Sequence, residues 1–256
     1  MKKKIVRQIV FVVAVLCAWQ LAYRSGIFPK LMFPSIGDIG NALLDGFTHD
    51  KLGNMVLYSL WLLLRGTGLG MLLAMVFSGL SIASSWYSDI YNLLVSIFDL
   101  IPGVALIPLA ILWFGVGEAP ILFIVVHSVV WPMSRSIIDG FRSVPPILVE
   151  SGRNLGLSKR QQVFQIYIPA SFSSVLSGIK IGWARAWRGL ISAEMIFGTT
   201  SFGAGIGWYI FYKRVNVDIA GVFAALIVII LIGVVVEYLV FSTIERHTVR
   251  KWGVSR

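Results

Sequence analysis

Six ionisable residues stand within apolar stretches of the sequence: Arg65, Asp99, Arg185, Arg188, Glu194 and Glu237. Four of them, Asp99, Arg185, Arg188 and Glu194, are candidates for a pathway that moves a charged solute. Charged side chains at membrane depth are costly and usually face protein or water, so they mark candidate pathways. Arg185 and Arg188 are three residues apart, which places them on one face of a helix where they could attract an anion. The alternative is structural: each arginine pairs with Asp99, Glu194 or Glu237, or reaches a lipid headgroup.

Other chemistries find little support in the residue patterns. No Gly-Lys pair occurs, so the chain lacks a phosphate-binding loop of the G-x-x-x-x-G-K-[ST] type. The three histidines form no H-E-x-x-H motif, and we predict no metal site. His127 lies in the middle of an apolar run, and we interpret it as a hydrogen-bonded structural histidine.

The composition indicates an integral membrane protein. Of the 256 residues, 57% are hydrophobic and only 13% are charged, and the mean hydropathy is +0.83. Soluble domains are closer to half apolar and a quarter charged. The net charge of +10 suggests basic residues that hold one end of the spanning helices. The single cysteine, Cys17, excludes a disulfide within the chain.

The apolar runs predict an all-α protein with about six transmembrane helices. We expect the third helix to be kinked or broken, since it contains Asp99, Pro102 and Pro108. A short additional helix is expected at 36–46. The predicted spans are 6–23, 56–83, 89–113, 119–140, 171–196 and 217–243.

Lysine and arginine in the connections predict the orientation. Basic residues are concentrated at both termini and in the loop 141–170, which places these three segments in the cytoplasm. The residues on this side are Lys2, Lys3, Lys4, Arg7, Arg142, Arg153, Lys159, Arg160, Arg246, Arg250, Lys251 and Arg256. The opposite side has Arg24, Lys30, Lys51, Lys213 and Arg214.

The segment 144–169 contains the most polar long stretch of the chain, residues 150–169. A proline pair suits the start of a short helix, and Gly156 suits its left-handed end. Ser158 and Gln161 have the spacing of a capping box for a second helix, and Pro169 opens the next span. The segment predicts two short helices around a glycine turn, which either contact another protein or rest on anionic lipid.

This segment resembles the cytoplasmic signature of permease subunits from binding-protein-dependent ABC importers. That signature is Glu-Ala-Ala, three residues, Gly, nine residues, then Ile-x-Leu-Pro. Here every spacing matches, with Ser, Gly and Ile as the three departures. The matching residues are Glu150, Ser151, Gly152, Gly156, Ile166, Ile168 and Pro169.

Two further stretches, LIPGVALIPLAILWFGVGEAP (100–120) and ARAWRGLISAEMIFGTTSFGAGIGW (184–208), are similar to the nitrate, sulfonate and taurine branch of that family. The resemblance covers about 57–244 of a chain that we expect to be one transmembrane domain over 1–256. It implies a type I ABC importer permease fold in a bacterial plasma membrane, with the polar segment as the ATPase-coupling element.

The resemblance also implies partners. They are two ABC ATPase subunits that bind the ATP, a second permease copy, and an extracytoplasmic substrate-binding protein. The chain itself would hold no cofactor and would not be an enzyme. The solute would be small, polar and anionic; a thiamine precursor, riboflavin or another nutrient stays open as an alternative.

Two other classes of protein are alternative interpretations of the sequence. An intramembrane serine protease would use Ser81, in a G-x-S-x stretch, with His127. Since these two residues are expected at different depths, they should not meet. A membrane scaffold would keep the polar segment but would need neither charged nor kinked helices in its core.

Overall fold

The computed structural model describes residues 2–200 and 203–248, and in this part of the chain the regular structure is helical, apart from one isolated bridge between Thr200 and Gly203. The predicted all-α class is confirmed. The calls on Arg250, Lys251 and Arg256 lie outside the described residues, as do Met1, Ser201 and Phe202. The α-helices are α1 (Lys2–Arg24), α2 (Ile36–Thr48), α3 (Leu52–Ala83), α4 (Ser85–Phe98), α5 (Ile107–Phe114), α6 (Glu118–Arg142), α7 (Pro146–Asn154), α8 (Lys159–Gln162), α9 (Ile168–Phe197), α10 (Ile206–Val215), α11 (Ile219–Val235) and α12 (Ser242–His247).

Two π-helical turns and one 3₁₀ turn join some of these helices. A π turn at Val163–Tyr167 leads into α9, and another at Val236–Phe241 joins α11 to α12. A 3₁₀ turn at Gly103–Leu106 precedes α5. Helix α2 begins at a capping box in which Ser35 and Asp38 satisfy each other's backbone N–H groups, so the predicted short helix at 36–46 is confirmed.

Four of the described helical stretches are long and apolar enough to cross a membrane: Val6–Arg24, Leu52–Ala83, Glu118–Arg142 and Ile219–His247. A fifth crossing results if α4 and the Gly103–Phe114 stretch form one broken span, and these two parts are bent by 92°. Pro102 lies in the short connection between α4 and the 3₁₀ turn and lacks the N–H that a continuing helix needs, so the expected break in the third span is confirmed.

The predicted span at 171–196 corresponds to α9. This helix has 30 residues and is therefore about 45 Å long. It carries Lys180, Arg185, Arg188 and Glu194 and is not one of the four long apolar stretches named above. Its inner face is buried against α3 and α6, and Lys180, Arg185 and Glu194 each bind a group in another part of the protein.

Helices α3, α6 and α9 form the core of the bundle. On α3, a Cβ at Gly66 would overlap the Val125 side chain of α6, and a Cβ at Gly70 would lie 2.8 Å from the Cβ of Val129. The G-x-x-x-G pair therefore allows close helix contact, as its spacing predicts. Helices α1, α3 and α11 keep many large apolar side chains exposed, as expected of surfaces that face lipid.

A matched pair of substitutions on α3 tests this packing. We expect Gly66→Ala to destabilise the protein by about 1–3 kcal/mol, because the added methyl group has no space. Gly68→Ala has open space around its Cβ. It should be neutral or stabilising by up to about 1 kcal/mol, since alanine favours the helix.

The measurement is the thermal unfolding of both purified variants in the same detergent. Equal midpoints for the two variants would contradict the close α3–α6 contact.

Candidate functional site: a charged cavity and a polar connecting segment

A cavity of about 310 Å³ lies where the chain breaks between α4 and α5. Its wall is formed by the break, residues 98–104, together with α6 and α9. Gly103 brings the backbone of the break against α6, since a Cβ there would lie 2.8 Å from Ser128 Oγ. The broken helix thus places polar backbone inside the bundle, which membrane proteins tolerate only where it faces protein or a cavity.

Asp99 is the acidic centre of the cavity. Its carboxylate accepts a hydrogen bond from Arg185 Nη1 of α9 at 2.5 Å and one from Arg135 Nε of α6 at 3.2 Å. The Asp99 side chain is only 13% exposed, whereas both arginines are partly exposed. Arg185 therefore pairs with Asp99, as the structural alternative to a free, anion-attracting arginine predicts. Within the described residues, neither Glu194 nor Glu237 is its partner.

Arg188 also lines the cavity but has no acidic partner in the described part of the chain. Its Nε donates to the carbonyl of Ala184 in its own helix at 3.1 Å, and its side chain is exposed. The cavity wall contains Arg185 and Arg188 against Asp99, so it carries more positive than negative charge, and Arg135 binds Asp99 from beside the cavity. Arg135 lies within the predicted span 119–140, and our sequence interpretation overlooked it although it met the criterion used for the other charges.

His127 of α6 lines the same cavity, and its predicted hydrogen bond is absent. Both ring nitrogens are buried without a hydrogen-bond partner in the described residues, and the same holds for the indole nitrogen of Trp131. That part of the His127 prediction is wrong, because α6 presents no acceptor or donor within reach of the ring. Ser81, meanwhile, donates to Ser88 at 3.3 Å, so the expectation that Ser81 and His127 do not form a catalytic pair is confirmed.

Glu194 lies outside the cavity and binds the start of α10. It is 1% exposed and is not among the residues that line the cavity. Its carboxylate accepts from Ser59 Oγ of α3 at 2.7 Å and from the backbone N–H of Gly207 at 2.9 Å. Ser59 Oγ in turn accepts from the N–H of Ile206 at 2.9 Å. Glu194 and Ser59 thus cap the N-terminus of α10 from two neighbouring helices, where a negative charge is favoured.

This arrangement explains why the N-cap residue of α10, Gly205, is a glycine. A Cβ at Gly205 would overlap the Glu194 carboxylate. The start of α10 therefore requires glycine at this position because it lies in close contact with a buried acid.

Removing the hydroxyl of Ser59 tests this cap. We expect Ser59→Ala to cost about 1–3 kcal/mol, because the Ile206 N–H and one side of the buried carboxylate lose their partner. The control is Ser177→Ala on α9, whose exposed hydroxyl donates only to Ser173 of its own helix. Chemical unfolding of both variants is the measurement, and a Ser59→Ala protein as stable as the control would contradict the capping role.

The polar segment 144–169 connects α6 to α9 and folds as its sequence predicts. Helix α7 ends in a Schellman motif, in which Leu157 N–H donates to the Gly152 carbonyl at 3.0 Å and Gly156 N–H to the Arg153 carbonyl at 2.9 Å. Gly156 has φ of +75°, a conformation that side chains other than glycine and asparagine rarely adopt. Ser158 and Gln161 form the predicted capping box of α8.

Close packing accounts for the other glycine of the segment. A Cβ at Gly152 would overlap the Ile166 side chain, so Gly152 and Ile166 hold α7 against the turn that leads into α9. Ser151 donates to the Ile147 carbonyl of its own helix, and Pro169 lies in the first turn of α9.

The outer face of the segment carries both charge and exposed apolar surface. Glu150 is exposed and has no partner in the described part of the chain, and Arg153, Lys159 and Arg160 are exposed as well. Leu155, at the tip, is 80% exposed. Charged side chains and an exposed leucine therefore share this surface.

The helical bundle, its broken span and its partly buried ion pairs define a polytopic membrane protein with a polar cavity. Among the described residues, no group of three or more His, Cys, Asp and Glu side chains is arranged to hold a metal ion. The sequence profile of binding-protein-dependent transport system inner membrane components matches residues 66–244. The chain belongs to this family, and the predicted resemblance to ABC importer permeases is confirmed.

Individual relatives agree with that assignment. A Methanocaldococcus jannaschii protein named as an ABC transporter permease is 34% identical over 161 residues, which are 62% of this chain and 59% of the relative. An Escherichia coli K12 protein named as an aliphatic sulfonates transport permease is 28% identical over 86% of this chain and 82% of its own length. The taurine transport system permease of E. coli K12 is 27% identical over 43% of this chain and 40% of its own length.

Proposed function

We propose that the chain is the membrane-spanning subunit of an ATP-driven importer and forms part of the pathway for a small organic anion of the sulfonate or taurine type. The observation that carries this proposal is the cavity at the broken span, where two arginines and one aspartate line the wall and a third arginine binds that aspartate, which leaves an excess of positive charge. The family match supports the transport role, and the names of the sulfonate and taurine relatives support the class of solute.

The energy source would be a partner protein. The chain has no G-x-x-x-x-G-K-[ST] loop of its own. We propose that the surface formed by Glu150, Leu155 and the neighbouring basic residues docks on an ABC ATPase, with two ATPase subunits and two permease copies in the complex. An extracytoplasmic binding protein would deliver the solute.

The orientation follows from this docking. If the segment 144–169 contacts a cytoplasmic ATPase, both termini lie in the cytoplasm of a bacterial cell, in line with the concentration of basic residues there. The segment α2, the loop around Asp50 and α10 then lie outside, where the binding protein would dock. Lys213 of α10 joins Asp50 and Asp218 at 2.8 Å each, which gives this outer surface a fixed shape.

The connection between docking surface and cavity is direct. The polar segment begins where α6 ends and continues into α9. These two helices carry His127, Arg135, Arg185 and Arg188. A displacement of the segment by an ATPase would therefore move two walls of the cavity without any intermediate element.

The proposal is tested by purifying the tagged chain from its native membrane in mild detergent and identifying the proteins that accompany it. We expect a stoichiometric ATPase, and ATP-dependent uptake of radiolabelled taurine or ethanesulfonate after reconstitution with the binding protein. A thiamine precursor and riboflavin serve as competing solutes. A chain that purifies without an ATPase in every mild detergent would contradict the importer role and favour a scaffold.

Substitution of Gly156 tests the coupling surface. We expect Gly156→Val to reduce ATP-driven uptake at least about tenfold, because a β-branched residue strains the left-handed conformation and distorts the Schellman turn. Gly156→Asn is the matched control, since asparagine tolerates this conformation, and it should keep most of the uptake.

The measurements are uptake and ATP hydrolysis by the same reconstituted preparation. Full uptake together with full ATPase activity in Gly156→Val would show that the segment does not couple the two.

A further inference from the structure

We propose that the cavity at the α4–α5 break is a binding site for a monovalent organic oxyanion, such as an alkanesulfonate, held by Arg188 and His127. This inference rests on the proposed function and adds the residues that recognise the solute. It follows from the free guanidinium of Arg188, the unpartnered ring of His127 and the aromatic and aliphatic side chains that share the cavity with them.

Arg188 is the arginine of the cavity whose charge is not paired with an acid in the described residues, so it can bind a solute. Asp99 occupies Arg185 and, beside the cavity, Arg135, because each of its carboxylate oxygens accepts from a different arginine. Arg188 uses only Nε, toward the carbonyl of Ala184, so its two terminal nitrogens have no partner within the described residues. A guanidinium presents donors whose geometry fits a sulfonate or carboxylate.

His127 provides an independent observation. It lines the cavity, is 9% exposed, and has no hydrogen-bond partner in the described part of the chain at either ring nitrogen. Buried polar groups are almost always hydrogen-bonded, so a buried imidazole without a partner indicates a ligand or water at that position. One ring nitrogen of His127 carries a hydrogen in either tautomer, and a rotation of the ring toward the cavity would let it donate to an oxyanion.

Asp99 is a positioning residue in this arrangement. By binding Arg135 and Arg185 it removes their charges from competition for the solute and holds α6 and α9 beside the break. A solute on a transport pathway must be held loosely enough to leave again. One free arginine, assisted by a neutral imidazole, meets this requirement better than three free arginines would.

The remaining wall favours a solute with an organic part. Phe98 and Trp131 are stacked with ring centroids 4.9 Å apart, and Trp131 lies beside His127 at 6.1 Å. Leu100, Ile101 and Val104 of the break complete an apolar side. A strongly hydrated dianion such as sulfate would lose its water shell against these side chains, whereas a short alkyl chain would bury apolar surface.

The test uses the chain's single cysteine. Replacing it by Cys17→Ser removes thiols from the chain, and Ser192→Cys then places one thiol in the cavity wall. The full chain, purified with its ATPase in nanodiscs, is treated with 2-sulfonatoethyl methanethiosulfonate or with its trimethylammonium analogue. Each reaction rate is divided by the rate for free 2-mercaptoethanol. The control thiol is Ser25→Cys, which is exposed beside Arg24 outside the cavity.

We expect the normalised preference for the anionic reagent to be about tenfold higher at position 192 than at position 25, since one charge-assisted hydrogen bond is worth at least that factor. Arg188→Met should remove the preference, and Arg188→Lys should keep part of it. Ethanesulfonate should protect position 192 better than sulfate does, and His127→Phe should raise the concentration needed for half protection about tenfold.

Equal reactivity toward both reagents, or protection that His127→Phe leaves unchanged, would overturn the proposal. The reagent preference with Arg188 in place requires only the Cys17→Ser and Ser192→Cys changes, and ATP hydrolysis by that complex shows whether it has folded and assembled. If the reconstituted complex fails to transport sulfonates while the cavity keeps its anion preference and protection, the proposed function fails and the binding site stands. If sulfonate uptake is normal but position 192 shows neither the anion preference nor protection, the binding site is ruled out and the proposed function stands.

Discussion

The close contact between α6 and α9 is the constraint on which the rest of this structure depends. A Cβ at Gly178 of α9 would lie 2.6 Å from the Cβ of Ser136, and a Cβ at Gly140 of α6 would lie 2.8 Å from that of Ser174. Such small residues bring two backbones together where apolar association alone gives little advantage in lipid. The pair runs from the polar segment at one end to the charged cavity further along, so one rigid contact carries both sites.

Two acidic residues, Asp99 and Glu194, stabilise different parts of this helix pair. Asp99 binds arginines from α6 and α9 and so fixes the broken helix against the pair. Within the described residues Glu194 pairs with no cation and instead accepts N–H and O–H groups at the start of α10. The arrangement separates a region of partly exposed charges from one whose hydrogen bonds hold the C-terminal end of α9 to α3 and α10.

Much of this could be predicted from local patterns. The break at Pro102, the turn at Gly156 and the capping box at Ser158 each depend on a few neighbouring residues, and the structure shows all three. The partner of Glu194 could not be predicted, because Ser59 is 135 residues away and a serine in an apolar helix has many possible acceptors. The lack of a partner for His127 is likewise a property of what surrounds it in space. Arg135 could have been identified from the sequence, since it is an ionisable residue inside a predicted span.

The central claim is that the polar segment and the cavity move together because α6 and α9 join them. The most direct measurement is the rate at which an uncharged maleimide labels Ser192→Cys, in the Cys17→Ser background, with the ATPase nucleotide-free or trapped with ATP and vanadate. The account predicts different rates in the two states, and the loss of that difference in Gly156→Val. Equal rates in both states, in a complex that transports normally, would contradict it.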